Sequence, residues 1–291
     1  MSTGYAGDTA QLTAFSVMPA AQFQTLLYTT AGPVATITLN RPERHNALSQ
    51  PLVDEIITAV AQADADDEVR VLVVTGAGGR AFSAGYDIKE SAEKPKRSLA
   101  EWRARMQKDI RFTYSVWDCT KPVIAMIDGF CYAGALEFAM CCDIRYCSDA
   151  SSFAAVEARF SNGIATMIMP WLIGQRCRAL IYTGDAFDSA EAFRLGLVDK
   201  VFPKATLPAE VTKIAKRMSR VSADCLKWNK RSVNQAFETM GLRNAIMYGA
   251  EASAIMDATS SPEADQFDAI RRSDGLSAAL KWRAEQFAPF E

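Results

Sequence analysis

The chain has 291 residues, 49% of them hydrophobic and 23% charged, with a formal net charge of −2. That length allows one large α/β domain with an appendage or two modest domains, and the near-neutral balance supplies no field to draw nucleic acid or an anionic membrane. The seven cysteines sit mostly in apolar runs, no two at C-x-x-C spacing, and His45 is the only histidine, so the thiols read as reduced core residues of a cytoplasmic protein and neither a metal site nor a Ser-His-Asp triad is expected.

Residues 1–24 lack a basic region followed by an apolar core, and no run approaches the roughly 18 apolar residues of a membrane span; a loosely ordered N-terminal extension is expected. Leu26 to Thr30, a Gly32-Pro33 turn and Val34 to Leu39 read as a hairpin. Asn40 to Leu48 is a polar loop. Ser49 then caps a helix predicted over 49–64, with Pro51 in the first turn and a stripe of Leu52, Ile56, Ala59, Val60 and Ala63.

A strand over 69–76 runs into a small-residue loop, Gly76 to Lys89, beyond its carboxyl end, where ligands sit in sheets of this kind. Gly76-x-Gly78 has no third glycine opening a helix, which rules out a dinucleotide fingerprint. A basic cluster, Lys94-Pro95-Lys96-Arg97, is either a solvated loop or a phosphate contact, and a charged amphipathic helix follows over 98–117.

Pro122 to Ile127 is a buried strand. The bend Asp128-Gly129-Phe130-Cys131-Tyr132-Ala133-Gly134-Ala135 carries it straight into an apolar helix bearing Glu137. Gly134 falls where backbone N–H groups lack intrahelical partners and the helix dipole is positive. A peptide N–H facing a developing oxyanion, with a carboxylate one turn away, suits acyl chemistry. The small residues equally suit tight strand–helix packing, with Glu137 complementing the helix N-terminus. Short strands at 144–147 and 152–154 lead to Glu157, which by itself reads as an exposed turn residue. The strand–helix alternation predicts largely parallel pairing.

A short helix is predicted over 166–172, a turn and capped helix start over 184–192 with the helix ending near Gly196, and an edge-like strand over 198–203. From Leu207 the pattern is all-helical, with stripes over 211–218, 225–240, 242–256 and 276–287.

Taken together, Asn40-Arg41-Pro42 with Asn46-Ala47-Leu48, Ala81 to Ile88, Ile127 through Glu137, Cys142-Asp143-Ile144, Tyr182-Thr183-Gly184 and Ala190 through Val198 resemble the crotonase, or enoyl-CoA hydratase/isomerase, superfamily from about residue 26 onward. The resemblance implies an α/β fold, a spiral of ββα units, over residues 25–204, and a helical C-terminal region over 205–291 serving oligomerisation and as a lid. It also implies assembly as a homotrimer or dimer of trimers, a coenzyme A thioester as substrate, and no separate cofactor. By position, the thioester oxygen is held by the N–H groups of Tyr86 and Gly134. The two catalytic glutamates of the family's hydratases map onto Glu137 and Glu157. Two carboxylates of different proton occupancy suffice to add water across an α,β double bond.

For the coenzyme, Arg44, Lys89 and the 94–97 run are the basic groups near these loops, Ala84 and Ile88 flank the Tyr86 loop, and Lys281 and Arg283 are candidates from a neighbouring copy. The chain departs from the family at Ala133 and Ala135, at Tyr86, and over Arg159 to Met169, where a Gly- and Pro-rich loop is usual. These departures predict an altered acyl pocket. Isomerisation, carbon–carbon bond cleavage and non-catalytic acyl-CoA binding are the competing readings.

Overall fold

The computed structural model describes residues 23–92, 97–259 and 261–290. The hairpin forms as expected, β1 (Leu26–Ala31) antiparallel to β2 (Val34–Leu39). Residues 1–22 of the expected extension lie outside the described residues. Gln24 and Thr25 are tied down, both donating their N–H groups to the Glu55 carboxylate at 2.8 Å.

Helix α1 (Gln50–Ala65) starts where Ser49 accepts from the Leu52 N–H, and its apolar stripe is fully buried. β3 (Val71–Gly76) follows, and then β4 (Ala81–Ser83) and α2 (Ile88–Ala92) form inside the stretch read from sequence as one loop. Three residues are too few for alternation to be legible, and β4 exists because it finds a partner strand. Lys94, Pro95 and Lys96 lie outside the described residues. α3 (Leu99–Asp118) opens with a full capping box between Ser98 and Glu101.

β5 (Val123–Ile127), β6 (Phe130–Tyr132) and α4 (Gly134–Cys141) complete one strand–strand–helix unit. β7 (Ile144–Ser148) and β8 (Ser152–Ala154) repeat the strand pair and lead into a 3-10 turn, Val156–Phe160. Short helices α5 (Met169–Ile173) and α6 (Cys177–Thr183) come next, then β9 (Phe187–Asp188), α7 (Ser189–Leu195) and β10 (Lys200–Phe202). The tail holds α8 (Leu207–Met218), α9 (Ala223–Thr239), α10 (Leu242–Ala258), α11 (Pro262–Asp274) and α12 (Leu276–Phe287). Helix α11 escaped sequence reading because it buries no residue and so has no apolar stripe.

Each turn of the chain contributes one strand to each of two sheets. The larger runs β1-β2-β3-β5-β7-β10, parallel except at the hairpin, and the smaller runs β4-β6-β8-β9 with its first three strands parallel. This is the expected spiral of ββα units. The helical tail closes against it: α10 packs on α3, and Lys230 of α9 forms an ion pair with Asp143 at 2.8 Å. In the small sheet Ser83 pairs with Cys131, and Cys131 with Phe153, so β4, β6 and β8 end side by side. The segments that leave those three strand ends build the site.

Candidate active site

The residues beyond the carboxyl ends of β4, β6 and β8 are Tyr86, Gly134 and Glu157, brought from three separate segments by strand pairing alone. The Tyr86 loop is braced by Leu48 N–H to Gly85 carbonyl at 2.8 Å and Asp87 N–H to Leu48 carbonyl at 3.1 Å. Asn46 supports the brace from within, its buried amide donating to the carbonyls of Ala77 and Ala81. The bracing bonds use the neighbours of Tyr86 and leave its own N–H without a protein acceptor among the described residues.

Gly134 lies at the first position of α4, where an N–H has no intrahelical acceptor, and its N–H too has no protein acceptor among the described residues. Ala133 turns the chain into that helix at φ 51°, a left-handed value held in place by its own N–H bond to the Ala154 carbonyl at 2.9 Å. Gly85 is required opposite: at φ +86°, a Cβ there would strike the Ala133 methyl at 2.7 Å and sit 3.5 Å from the Gly134 nitrogen. The two free N–H groups therefore belong to loops in direct contact, next to a helix dipole's positive end.

Glu137, one turn into α4, is 3% exposed. Its Oε2 accepts the Thr166 N–H at 2.5 Å, a bond that favours the ionised carboxylate, while burial opposes ionisation more strongly and pushes the pKa up to about 7. Glu157 faces it from the 3-10 turn. Its buried Oε2 has no hydrogen-bond partner among the described residues, and burial, then the Glu137 charge, holds its carboxyl well above the usual range. Both acids line one cavity of ≈ 10 Å³, walled by Ala133, Leu136, Met140 and Ile164, which is room for about one water. Glu157 is thus held toward its protonated form more strongly than Glu137, an inequality of the kind that acid–base chemistry on adjacent carbons needs.

The loop from Arg159 to Met169, which departs from the family pattern, supplies the Thr166 N–H and the Ile164 and Met167 walls. Three groups that sequence reading missed also meet here. Asp109 and Arg105 of α3 form a buried pair at 3.0 Å, and the Arg105 guanidinium lies 5.0 Å from the Tyr86 ring centroid. Asp257 of α10 accepts from Asn162 and the Gly163 N–H. An i,i+4 Arg–Asp pair was legible in α3, but by default such a pair lies on a solvated face.

The basic residues are less convergent. Arg44 and Lys89 are exposed beside the Tyr86 loop, as are Ala84 in part and Ile88 at 39%. Of the 94–97 run, Arg97 is described and stacks over Trp102 at 4.8 Å. Lys281 is exposed, whereas Arg283 turns inward, donating to the Arg159 carbonyl and lying over Phe287. Arg283 is thus a buried structural contact and not the surface cation that its sequence position suggested. Among the described residues no group of three metal-ligating side chains converges, and no helix is long and apolar enough to cross a membrane.

The family model for enoyl-CoA hydratase/isomerase matches residues 29–262. The chain belongs to that family. A crystal structure of an enoyl-CoA hydratase/isomerase from Xanthobacter autotrophicus Py2 superposes with a TM-score of 0.88 at 36% identity, covering 91% of this chain and 99% of the other. Crotonyl-CoA hydratase of Syntrophomonas wolfei is 33% identical over 258 residues, 87% of this chain and 94% of the relative. Short-chain-enoyl-CoA hydratase of Clostridium acetobutylicum is 31% identical over 211 residues, 71% and 80% respectively. The protein is accordingly an enzyme of the enoyl-CoA hydratase/isomerase type, with the crotonase fold that its two sheets display.

Proposed function

We propose that this enzyme hydrates a 2-enoyl-CoA thioester, and that Tyr86 and Gly134 hold the thioester oxygen through their main-chain N–H groups. As water adds to the β-carbon, negative charge moves onto that oxygen. Two preorganised donors in a dry site would each lower the barrier by roughly 2.7–4 kcal/mol. Ionised Glu137, fixed by the Thr166 N–H, takes the proton from the attacking water. Protonated Glu157 gives its proton to the α-carbon, and the enolate collapses to the 3-hydroxyacyl thioester.

The observation that carries this reading is the single-water cavity between two unequal carboxyl groups. An isomerase needs one group to move a proton between carbons and has no use for a second acid facing a water-sized space. Coenzyme A phosphates would meet the exposed Arg44 and Lys89 beside the Tyr86 loop, with Ala84 and Ile88 along the pantetheine arm.

The test is incubation of the protein with crotonyl-CoA in water carrying heavy oxygen, followed by mass spectrometry of the thioester. We expect a product heavier by one labelled water. A double-bond isomer of unchanged mass would place the enzyme among isomerases, and unaltered crotonyl-CoA at high enzyme concentration would sink the proposal.

A further inference from the structure

Tyr86 brings two separate things to the site: a main-chain N–H and a ring. The ring lies against the Gly134 backbone so closely that a Cβ on Gly134 would come within 2.3 Å of Cε2, 2.7 Å of Cδ2 and 2.9 Å of Cζ. Arg105 of α3 also lies over the ring, centroid to guanidinium 5.0 Å, at a distance where a cation attracts an aromatic face. Arg105 does not swing freely, since Asp109 binds it at 3.0 Å and Gln50 Oε1 at 3.2 Å. The Tyr86 hydroxyl is buried, while the residue as a whole keeps partial exposure, so the ring lies with its polar end inward. The cavity that Glu137 and Glu157 line holds only ≈ 10 Å³.

An acyl chain leaving a carbonyl held by the Tyr86 and Gly134 N–H groups starts out beside this ring, which lies against Gly134. We propose that the Tyr86 side chain, packed against both Gly134 and Arg105, is the gauge that limits acyl length, so that the substrate is a short enoyl thioester of crotonyl size. The proposal rests on the reading of Tyr86 and Gly134 as the thioester-holding pair. An open apolar pocket gains about 0.8 kcal/mol for each methylene it buries, about fourfold in affinity per added CH₂. Behind a fixed ring that gain disappears, because the added carbons have nowhere dry to go.

The test uses saturated thioesters, which have no double bond to hydrate and so report the pocket independently of the reaction. Butyryl-, hexanoyl- and octanoyl-CoA are titrated into the full-length protein by calorimetry, in the unmodified form and as Tyr86→Ala and Tyr86→Phe. The unmodified protein should show affinity that is flat or falling with length. Tyr86→Phe, which keeps the ring, should follow it, and Tyr86→Ala should regain a rise of about fourfold per methylene over the first carbons added. An unmodified protein whose affinity climbs with length overturns the gauge. So does a Phe variant that opens the pocket, or an Ala variant with the unmodified profile. Should the Ala variant fail to fold, the unmodified and Phe profiles still decide. Length-limited binding without any hydration of crotonyl-CoA would remove the proposed reaction and leave the gauge standing.

Discussion

Two buried carboxyl clusters sit at opposite ends of α4, and they are built on opposite principles. At its N-terminal end Glu137 and Glu157 face each other, with the Thr166 N–H donating to Glu137 and, among the described residues, no cation paired with either, and both are pushed toward holding protons. Just past its C-terminal end Asp143 is also raised by burial, but Lys230 at 2.8 Å and the Val123 N–H at 2.7 Å pull it back. Lys230 in turn donates to the carbonyls of Val116 and Lys121, so the pair is satisfied on both sides. A buried charge that has every partner is structure, fastening α9 to the core. A buried acid left short of partners costs stability and persists where chemistry uses it.

The largest expected effect separates the two clusters by activity. Glu137→Gln and Glu157→Gln should each reduce kcat for crotonyl-CoA by roughly 10²–10⁴, the usual worth of a positioned acid or base. Binding of butyryl-CoA should change little, and the midpoint of urea unfolding should hold or rise, because a buried acid whose charge is opposed by burial has been replaced by a neutral amide. Steady-state kinetics beside a denaturation curve would show whether the losses are catalytic.

Asp143→Ala should do the reverse. Stranding Lys230 in the core is expected to cost roughly 3–5 kcal/mol of stability, read as a lower urea midpoint. The activity of the molecules that remain folded should stay close to that of the unmodified enzyme. A large loss of kcat in folded Asp143→Ala would erase the distinction between the clusters.

A smaller effect should appear in the pH dependence of stability. Glu137 ordinarily releases its proton near 4.5, and in the folded protein near 7. Between those values the native state holds a proton that the unfolded chain has lost, so this contribution is full below the window and disappears as pH rises through it. Its size is roughly 3 kcal/mol by linkage. Glu137→Gln should flatten the urea midpoint across that range, whereas an unchanged slope would mean that the carboxyl is not held protonated.

Much of the fold was readable in the chain because its signals are local. Ser49 ahead of Pro51 and an apolar stripe fixed α1, the β-branched runs fixed β2, β3 and β5, and the Gly32-Pro33 turn fixed the hairpin. Gly134 and Glu137 stood out because a helix start after a bend has free N–H groups wherever it occurs. The resemblance to a known family supplied Tyr86 and Glu157, which neither composition nor spacing would have singled out.

Convergence belonged to the tertiary structure. β4 and β6 are three residues each, too short to show a period, and only the pairing of β4 with β6 and of β6 with β8 brings Tyr86, Gly134 and Glu157 to one edge. Asp109 and Arg105 read from the chain as an ordinary i,i+4 surface pair, and it is the Tyr86 ring and Gln50 that meet Arg105 in the fold. Arg283 looked exposed until it met Arg159. A sequence states where a chain is able to turn, cap or stripe, because those energies act within a few residues. Which charges lose their water, and so which acids keep their protons, depends on neighbours far along the chain that only packing brings into contact.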